Sequence, residues 1–268
     1  PVLANKLIED NKLDFIGLGR PLLSDPEWVN KARADKKEDI IPCVRCMQCI
    51  NRVFFGQYSA CSVNPVLGKE YLSPIIPTNK AKDVLVIGGG MAGMQAAIYA
   101  EEKGHRATLV ERSSELGGHL LEGAVIDHKK EVSAYCRYLV RRIKHSNIDV
   151  RYKTQGTKEL VQELRPDALI VATGSSPIIP KIPGIDKPNV RIATTMLKES
   201  EQTGENVVIV GGGLVGCETA LYLAEKGKKV TIIDVLPEVA QDVIFMARLS
   251  LLQALKDKGV KTEGGLEL

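Results

Sequence analysis

One pattern occurs twice in this chain and constrains its fold more than any other feature: an apolar run, Gly-x-Gly-x-x-Gly, a helical stretch, a second apolar run and an acid. In the first copy residues 84–87 lead into Gly88-Gly89-Gly90-Met91-Ala92-Gly93, a helix is expected to about Lys103, and a strand over 107–110 ends on Glu111. In the second copy residues 207–210 lead into Gly211-Gly212-Gly213-Leu214-Val215-Gly216, a helix is expected to about Lys226, and a strand over 230–233 ends on Asp234. First glycine and acid are 23 residues apart in both copies. The strand runs are apolar almost throughout, which predicts parallel sheets covered on both faces and an α/β fold.

Each loop has what a dinucleotide pyrophosphate requires. Gly88 permits the tight turn, Gly90 lets the backbone approach the phosphates, and Gly93 lets the helix pack close to the strand. The helix start then presents free N–H groups, those of Met91 and Ala92 among them, and the positive end of its dipole. Glu111 is placed to accept hydrogen bonds from ribose hydroxyls. Gly211, Gly213, Gly216 and Asp234 repeat the arrangement. An acid at Asp234, with no arginine directly after it, favours the free 2′-hydroxyl of NADH over the 2′-phosphate of NADPH.

Ahead of these units lies a second chemical signature. Cys43, Cys46 and Cys49 stand at C-x-x-C-x-x-C spacing, and Cys61 follows after eleven residues. Three thiolates so spaced can converge on one compact inorganic centre while the fourth closes it from a returning loop. The overlapping C-x-x-C steps resemble a ferredoxin-type run and point to a [4Fe–4S] cluster. A zinc site, which usually takes two separate Cys knuckles or Cys/His pairs, is the alternative. Cys136 and Cys217 fall in helical stretches and read as small core residues. Neither has a C-x-x-C partner, so a disulfide-exchange mechanism has no support.

Composition sets outer limits. The 268 residues allow about two domains, and 24 glycines suit many strand-to-helix turns. A net charge of +3 is too small to argue for nucleic acid. No apolar run reaches the roughly 20 residues that cross a bilayer. Six cysteines, four of them bunched, do not form a disulfide framework and fit a reducing, cytoplasmic setting. Residues 2–9 have helical spacing, 14–18 read as a short buried strand, and 26–34 as a helix. Residues 73–82, with two prolines and no periodicity, read as a linker. A helix over 130–145 and strands over 149–152 and 168–171 fill the space between the glycine units. The Lys129-Lys130 and Arg141-Arg142 pairs read as solvated helix faces, and 245–255 as a core helix.

The motifs together resemble a known group. Gly88 to Gly93, the stretch Glu111-Arg112 through Gly117-Gly118, and Ala172-Thr173-Gly174 look like the FAD domain of two-dinucleotide flavoproteins. Gly211 to Gly216 with Glu218 resembles the NAD domain inserted into it. The stretch from Asp14 to Pro26, with Gly19-Arg20 inside it, resembles the last strand of an old yellow enzyme barrel. The Cys61-Ser62-Val63-Asn64-Pro65 run is similar to a C-x-x-N-P segment beside such a cluster. This order resembles the 2,4-dienoyl-CoA reductase, enoate reductase and trimethylamine dehydrogenase group.

That resemblance implies the end of a (β/α)8 barrel over 1–40, a cluster segment over 41–72 and the linker over 73–82. It further implies an FAD-binding domain over 83–204 and an NAD-binding domain over 205–268, both Rossmann-like. Gly118 and His119 would contact flavin, Gly19 and Arg20 would lie by an FMN phosphate, and Glu218 would serve the NAD domain. The cofactors implied are FAD, a [4Fe–4S] cluster, NADH and, in an intact barrel, FMN. Electrons would pass from NADH through FAD and the cluster to FMN, which would reduce an activated C=C bond. The implied partner is a small-molecule substrate at the barrel, without nucleic acid or membrane, and a homo-oligomer is compatible with this. The chain starts at Pro1 and is expected to be an internal piece of a longer protein, with apolar faces left for the remainder. Alternatives are an amine dehydrogenase with reversed electron flow, and a zinc-stabilised nucleotide-binding module without a redox role. A glutamate-synthase-like input subunit is disfavoured by the cysteine pattern and the barrel-like start.

Overall fold

Both glycine units fold as parallel strand–helix–strand turns, seen in a computed structural model that describes residues 1–72, 75–197 and 203–266. The first unit comprises β1 (Asp83–Ile87), α5 (Met91–Glu102) and β2 (Arg106–Val110). It continues through α6 (His119–Gly123), α7 (Lys130–Lys144), β3 (Asp149–Arg151), α8 (Lys158–Leu164) and β4 (Ala168–Val171). Its four strands are all parallel, in the order β3-β2-β1-β4. After the short α9 (Ala193–Met196), the second unit is β5 (Asn206–Val210), α10 (Leu214–Glu225), β6 (Lys229–Ile233), α11 (Phe245–Asp257) and β7 (Lys261–Glu263). These three strands are parallel in the order β5-β6-β7.

Small residues let each first helix close onto its sheet. A Cβ on Gly93 would lie 1.7 Å from the Gly88 carbonyl oxygen, and one on Gly216 would lie 1.9 Å from that of Gly211. Gly88 and Gly211 themselves have φ of +108° and +99°, where an L side chain is strained. On one face of the first sheet Val84, Val86, Ala107 and Leu109 pack against Met94 and Ala97 of α5 and Tyr135 and Leu139 of α7. On the other face Leu85, Ile87 and Val110 lie under Leu160, Val161 and Leu164 of α8. Thr157 caps α8 by accepting the Leu160 N–H at 3.3 Å. The second core gathers Ile209, Val230 and Ile232 under Ala220, Leu221 and Leu223 of α10 and Leu255 of α11.

The expected double coverage holds for β1 and β2 but not at the other edge. Leu169 and Val171 of β4 are 43% and 65% exposed, and Val208 and Val210 of β5 are 62% and 55% exposed. No element among the described residues covers them. The expected core helix at 245–255 forms as α11, yet Leu249 is 57% exposed, and Phe245, whose ring stacks on Phe54 at 5.9 Å between centroids, is 45% exposed.

The N-terminal part carries α1 (Val2–Glu9), α2 (Arg20–Ser24), α3 (Trp28–Arg33) and α4 (Gln48–Phe54). The expected strand at 14–18 is absent: the segment is irregular and Phe15 is 88% exposed. A strand needs a ladder partner, and none among the described residues lies beside it. Of the expected linker, 75–82 has neither helix nor strand, while Ser73 and Pro74 lie outside the described residues. The boundary near Gly204 is likewise flanked by residues 198–202, which are outside the description.

The packing makes a direct stability prediction. Gly93→Ala should lower unfolding stability by about 2–3 kcal/mol, because the added methyl meets backbone that cannot yield. Gly204→Ala, at an open position, should change it little; denaturant unfolding of both variants checks the contrast.

Candidate dinucleotide and cluster sites

At the first loop, the end of β2 supplies the acid. The Glu111 carboxylate accepts the Gly89 N–H at 2.6 Å and the Ser113 N–H at 2.8 Å. Burial alone would push this carboxyl up. The two backbone N–H groups, the Ser113 hydroxyl and the Arg112 charge outweigh burial and hold it below its ordinary value. Ala172, Thr173 and Gly174 run directly against the loop: a Cβ on Gly88 would lie 2.3 Å from the Ala172 carbonyl oxygen. Gly118 crosses Gly90 from the other side, where a Cβ on Gly90 would meet only Gly118 Cα at 4.0 Å. The start of α5 has no side-chain cap, and Met91 and Ala92 are exposed. A cradle with open N–H donors and no side chain in the way fits a pyrophosphate.

His119 stands beside this cradle. Its Nδ1 meets Glu122 Oε2 at 2.7 Å and its Nε2 meets the Ser175 carbonyl at 3.0 Å. Glu122, then the Ser175 carbonyl, push the imidazole up from its ordinary value. The structure therefore brings Gly88, Gly90, Gly93, Glu111, Gly118, His119 and the 172–174 turn together at one end of the first sheet.

The second loop is built alike. Asp234 accepts the Gly212 N–H at 2.5 Å and the Leu236 N–H at 2.7 Å. The match extends beyond the motif that the sequence pattern exposed. An offset of 123 residues carries Gly88 onto Gly211, and the same offset carries Leu116-Gly117 onto Val239-Ala240. Gly117 donates its N–H to the Gly89 carbonyl at 2.9 Å, and Ala240 donates to that of Gly212 at 2.6 Å. Sequence reasoning singled out Gly117-Gly118 but missed the counterpart at Val239-Ala240, although aligning the two copies past the acid would have found it. It also missed Asp242, whose carboxylate accepts the Leu214 N–H at 2.9 Å and 3.1 Å. Glu218 is not free toward this loop: it forms an ion pair with Lys129. Lys129 is thus no solvated charge but a tie between the two units, reinforced by Ile126, which is buried in the second core.

The cysteine segment is fixed on both sides by α2 and by Asp25, the residue that follows it. The Asp25 carboxylate, with a side chain 2% exposed, accepts the Ile41 N–H at 2.8 Å and the Lys31 ammonium at 2.7 Å. Asn64 donates to the Leu23 carbonyl at 3.0 Å, and Arg20 points Nη1 at Met47 Sδ at 2.9 Å. Arg45 reaches Glu131 at 3.0 Å, and Arg141 pairs with Asp39. Arg142 bonds Glu102 at 2.6 Å, so both arginines expected to be solvated hold elements together. Cys49 is buried, Cys43 and Cys61 half-buried, and Cys46 exposed with its sulfur 3.1 Å from Ser62 Oγ. Burial pushes the Cys61 thiol up and outweighs the backbone hydrogen bonds from Val63 and Asn64, which act the other way. Among the described residues no three His, Cys, Asp or Glu side chains converge tightly enough for a single metal ion. Cys136 and Cys217 are buried elsewhere, and burial first of all pushes the Cys217 thiol up to about 11, which makes it a poor nucleophile.

Two dinucleotide-type loops on parallel sheets, the first beside an Ala-Thr-Gly turn, define a two-dinucleotide flavoprotein oxidoreductase. The chain belongs to the pyridine nucleotide-disulphide oxidoreductase family, whose model matches residues 82–265. It is 39% identical over 272 residues to an NADH oxidase of Thermoanaerobacter brockii, spanning 99% of this chain and 42% of that protein. Over 242 residues it is 39% identical to a cinnamate reductase of Clostridium sporogenes, covering 90% of this chain and 36% of that one. A solved 2-naphthoyl-CoA reductase complex superposes on the whole chain with a TM-score of 0.95 and 31% identity, using 41% of that structure. These relatives bear out the resemblance to the enoate reductase group, and the chain spans about two fifths of their length. The family and the paired loops support FAD and NADH as the dinucleotides. No helix among the described residues is long and apolar enough to cross a membrane.

The Glu111 contact has a pH signature. A carboxyl held below its ordinary value stabilises the fold above that value, and the gain is lost as pH falls toward the lowered one. Glu111→Gln should therefore cost stability at neutral pH, and the difference from wild type should shrink as pH drops below about 4. Urea unfolding at a series of pH values checks this; a difference independent of pH would contradict it.

Proposed function

We propose that this chain is the electron-input part of an NADH-dependent flavoprotein reductase that acts on a conjugated carboxylic acid or thioester. The observation that carries the reading is the pair of matching loops, one of them flanked by a four-cysteine segment strapped to the same domain. NADH is held at Gly211, Gly213 and Gly216, with Asp234 on its adenosine ribose. FAD is held at Gly88, Gly90 and Gly93, with Glu111 on its ribose and Gly118, His119 and the 172–174 turn toward its flavin end. Cys43, Cys46, Cys49 and Cys61 hold a [4Fe–4S] cluster. When bound, the nicotinamide supplies electrons in pairs, the cluster carries them singly, and a flavin can do both.

The protein's own groups supply position and field. The N–H groups at the start of α5 face the first pyrophosphate, and the Lys129–Glu218 pair holds the second unit against the first. The α2 anchors fix where the cysteine loop leaves and re-enters the fold. Arg20 keeps several guanidinium donors beyond its Met47 contact, which suits it and Gly19 to the phosphate of an FMN in a complete barrel. A structural zinc usually takes two separate Cys knuckles or Cys/His pairs. The overlapping C-x-x-C steps of Cys43, Cys46 and Cys49, with Cys61 returning to them, support a ferredoxin-type cluster instead. Two relatives, a cinnamate reductase and a 2-naphthoyl-CoA reductase, support the substrate class.

Anaerobic purification tests the cluster assignment. Wild-type protein should contain about four irons and four acid-labile sulfides per chain. Cys61→Ser should lose most of both while its circular dichroism stays native. One zinc per chain without sulfide would overturn the reading.

A further inference from the structure

The two loops differ in what lies over the start of their helices. At the first, the position facing Gly90 holds only the bare backbone of Gly118. At the second, a Cβ built on Gly213 would lie 3.1 Å from Asp242 Oδ2. The Asp242 carboxylate thus fills the gap that the missing side chain of Gly213 leaves. It also takes the Leu214 N–H with both oxygens. By the internal offset, Asp242 corresponds to His119, which turns away to Glu122 and the Ser175 carbonyl. One loop stands open, and its twin is closed by the protein's own anion.

We propose that Asp242 is an affinity-setting residue of the second loop: its carboxylate occupies the donor that a dinucleotide pyrophosphate takes, and NADH binds by displacing it. The inference rests on the reading of this loop as the NADH site. A helix start attracts one negative group by its dipole and its unpaired N–H, and two anions cannot share that donor without repulsion. Asp242 is exposed, while Ala240 and Val243 on either side of it are buried. Displacement therefore needs a side-chain rotation and not an opening of the strap. The carboxylate stabilises the empty domain and weakens its hold on NADH. Ligands without a pyrophosphate have no reason to move it.

The test uses the flavin-loaded full-length enzyme, so that the first loop is filled. ADP-ribose and adenosine are titrated by calorimetry into wild type, Asp242→Asn and Asp242→Ala. Asn keeps the shape of the cap without its charge, and Ala removes both. Both variants should bind ADP-ribose on the order of five-fold more tightly, with adenosine affinity unchanged. The KM for NADH should fall by more than any change in kcat, and the nucleotide-free variants should unfold at lower temperature. A purely structural cap would lower the unfolding temperature without tightening ADP-ribose. Unchanged or weaker ADP-ribose binding in both variants overturns the inference while leaving the NADH site in place. A wild type that binds neither ADP-ribose nor NADH overturns the site assignment and the inference with it.

Discussion

A carboxylate at the end of one strand accepts the N–H of the middle glycine in the loop after its neighbour, at 2.6 Å for Glu111 and 2.5 Å for Asp234. That contact depends on the register between the two strands, on a turn that only glycine adopts without strain, and on a helix close enough for Gly93 or Gly216 to touch the loop carbonyl. A shift of register moves the acid off the loop. A bulkier residue at the third glycine lifts the helix and opens the turn. The same geometry aims the helix dipole at one spot and sets the acid a ribose away from it. Fold and candidate binding site are therefore one arrangement, made twice.

Around these loops the protein distributes charge in a connected way. Asp25, Asp39, Glu131 and Glu218 each pair with a cation from another segment. Their combined effect is positional: the cysteine loop is tied to the first domain, and the first domain to the second. Individually such pairs contribute little where they are open to solvent. Asp25 differs, because its buried carboxylate also takes a backbone N–H that would otherwise lack a partner. Fixed spacing of this kind is what the proposed transfer of electrons between separate centres would require.

Most of the regular structure was legible in the sequence, because apolar runs between glycine turns have few other outcomes. Residues 2–9 form a helix, 84–87 and 107–110 pair as strands, and 130–145 forms α7 to within a residue. What failed depended on partners far away in the chain. Residues 14–18 have a strand's composition and, among the described residues, no strand beside them. Lys129, Arg141 and Arg142 look like solvated charges until the fold brings Glu218, Asp39 and Glu102 to them. At the site, the glycines and acids announced themselves by spacing. Asp242 did not, because an aspartate in a loop after a strand is unremarkable until its carboxylate is seen against Leu214.

In the proposed function, NADH at the second loop feeds flavin at the first and, through it, the cysteine-held cluster. An anaerobic titration of the full-length enzyme tests it most directly, following flavin absorbance and the electron paramagnetic resonance of the iron–sulfur centre together. NADH should bleach the flavin and elicit a reduced-cluster signal, and NADPH should do so far more slowly because Asp234 opposes its 2′-phosphate. Flavin bleaching without any cluster signal, or a preference for NADPH, would contradict it.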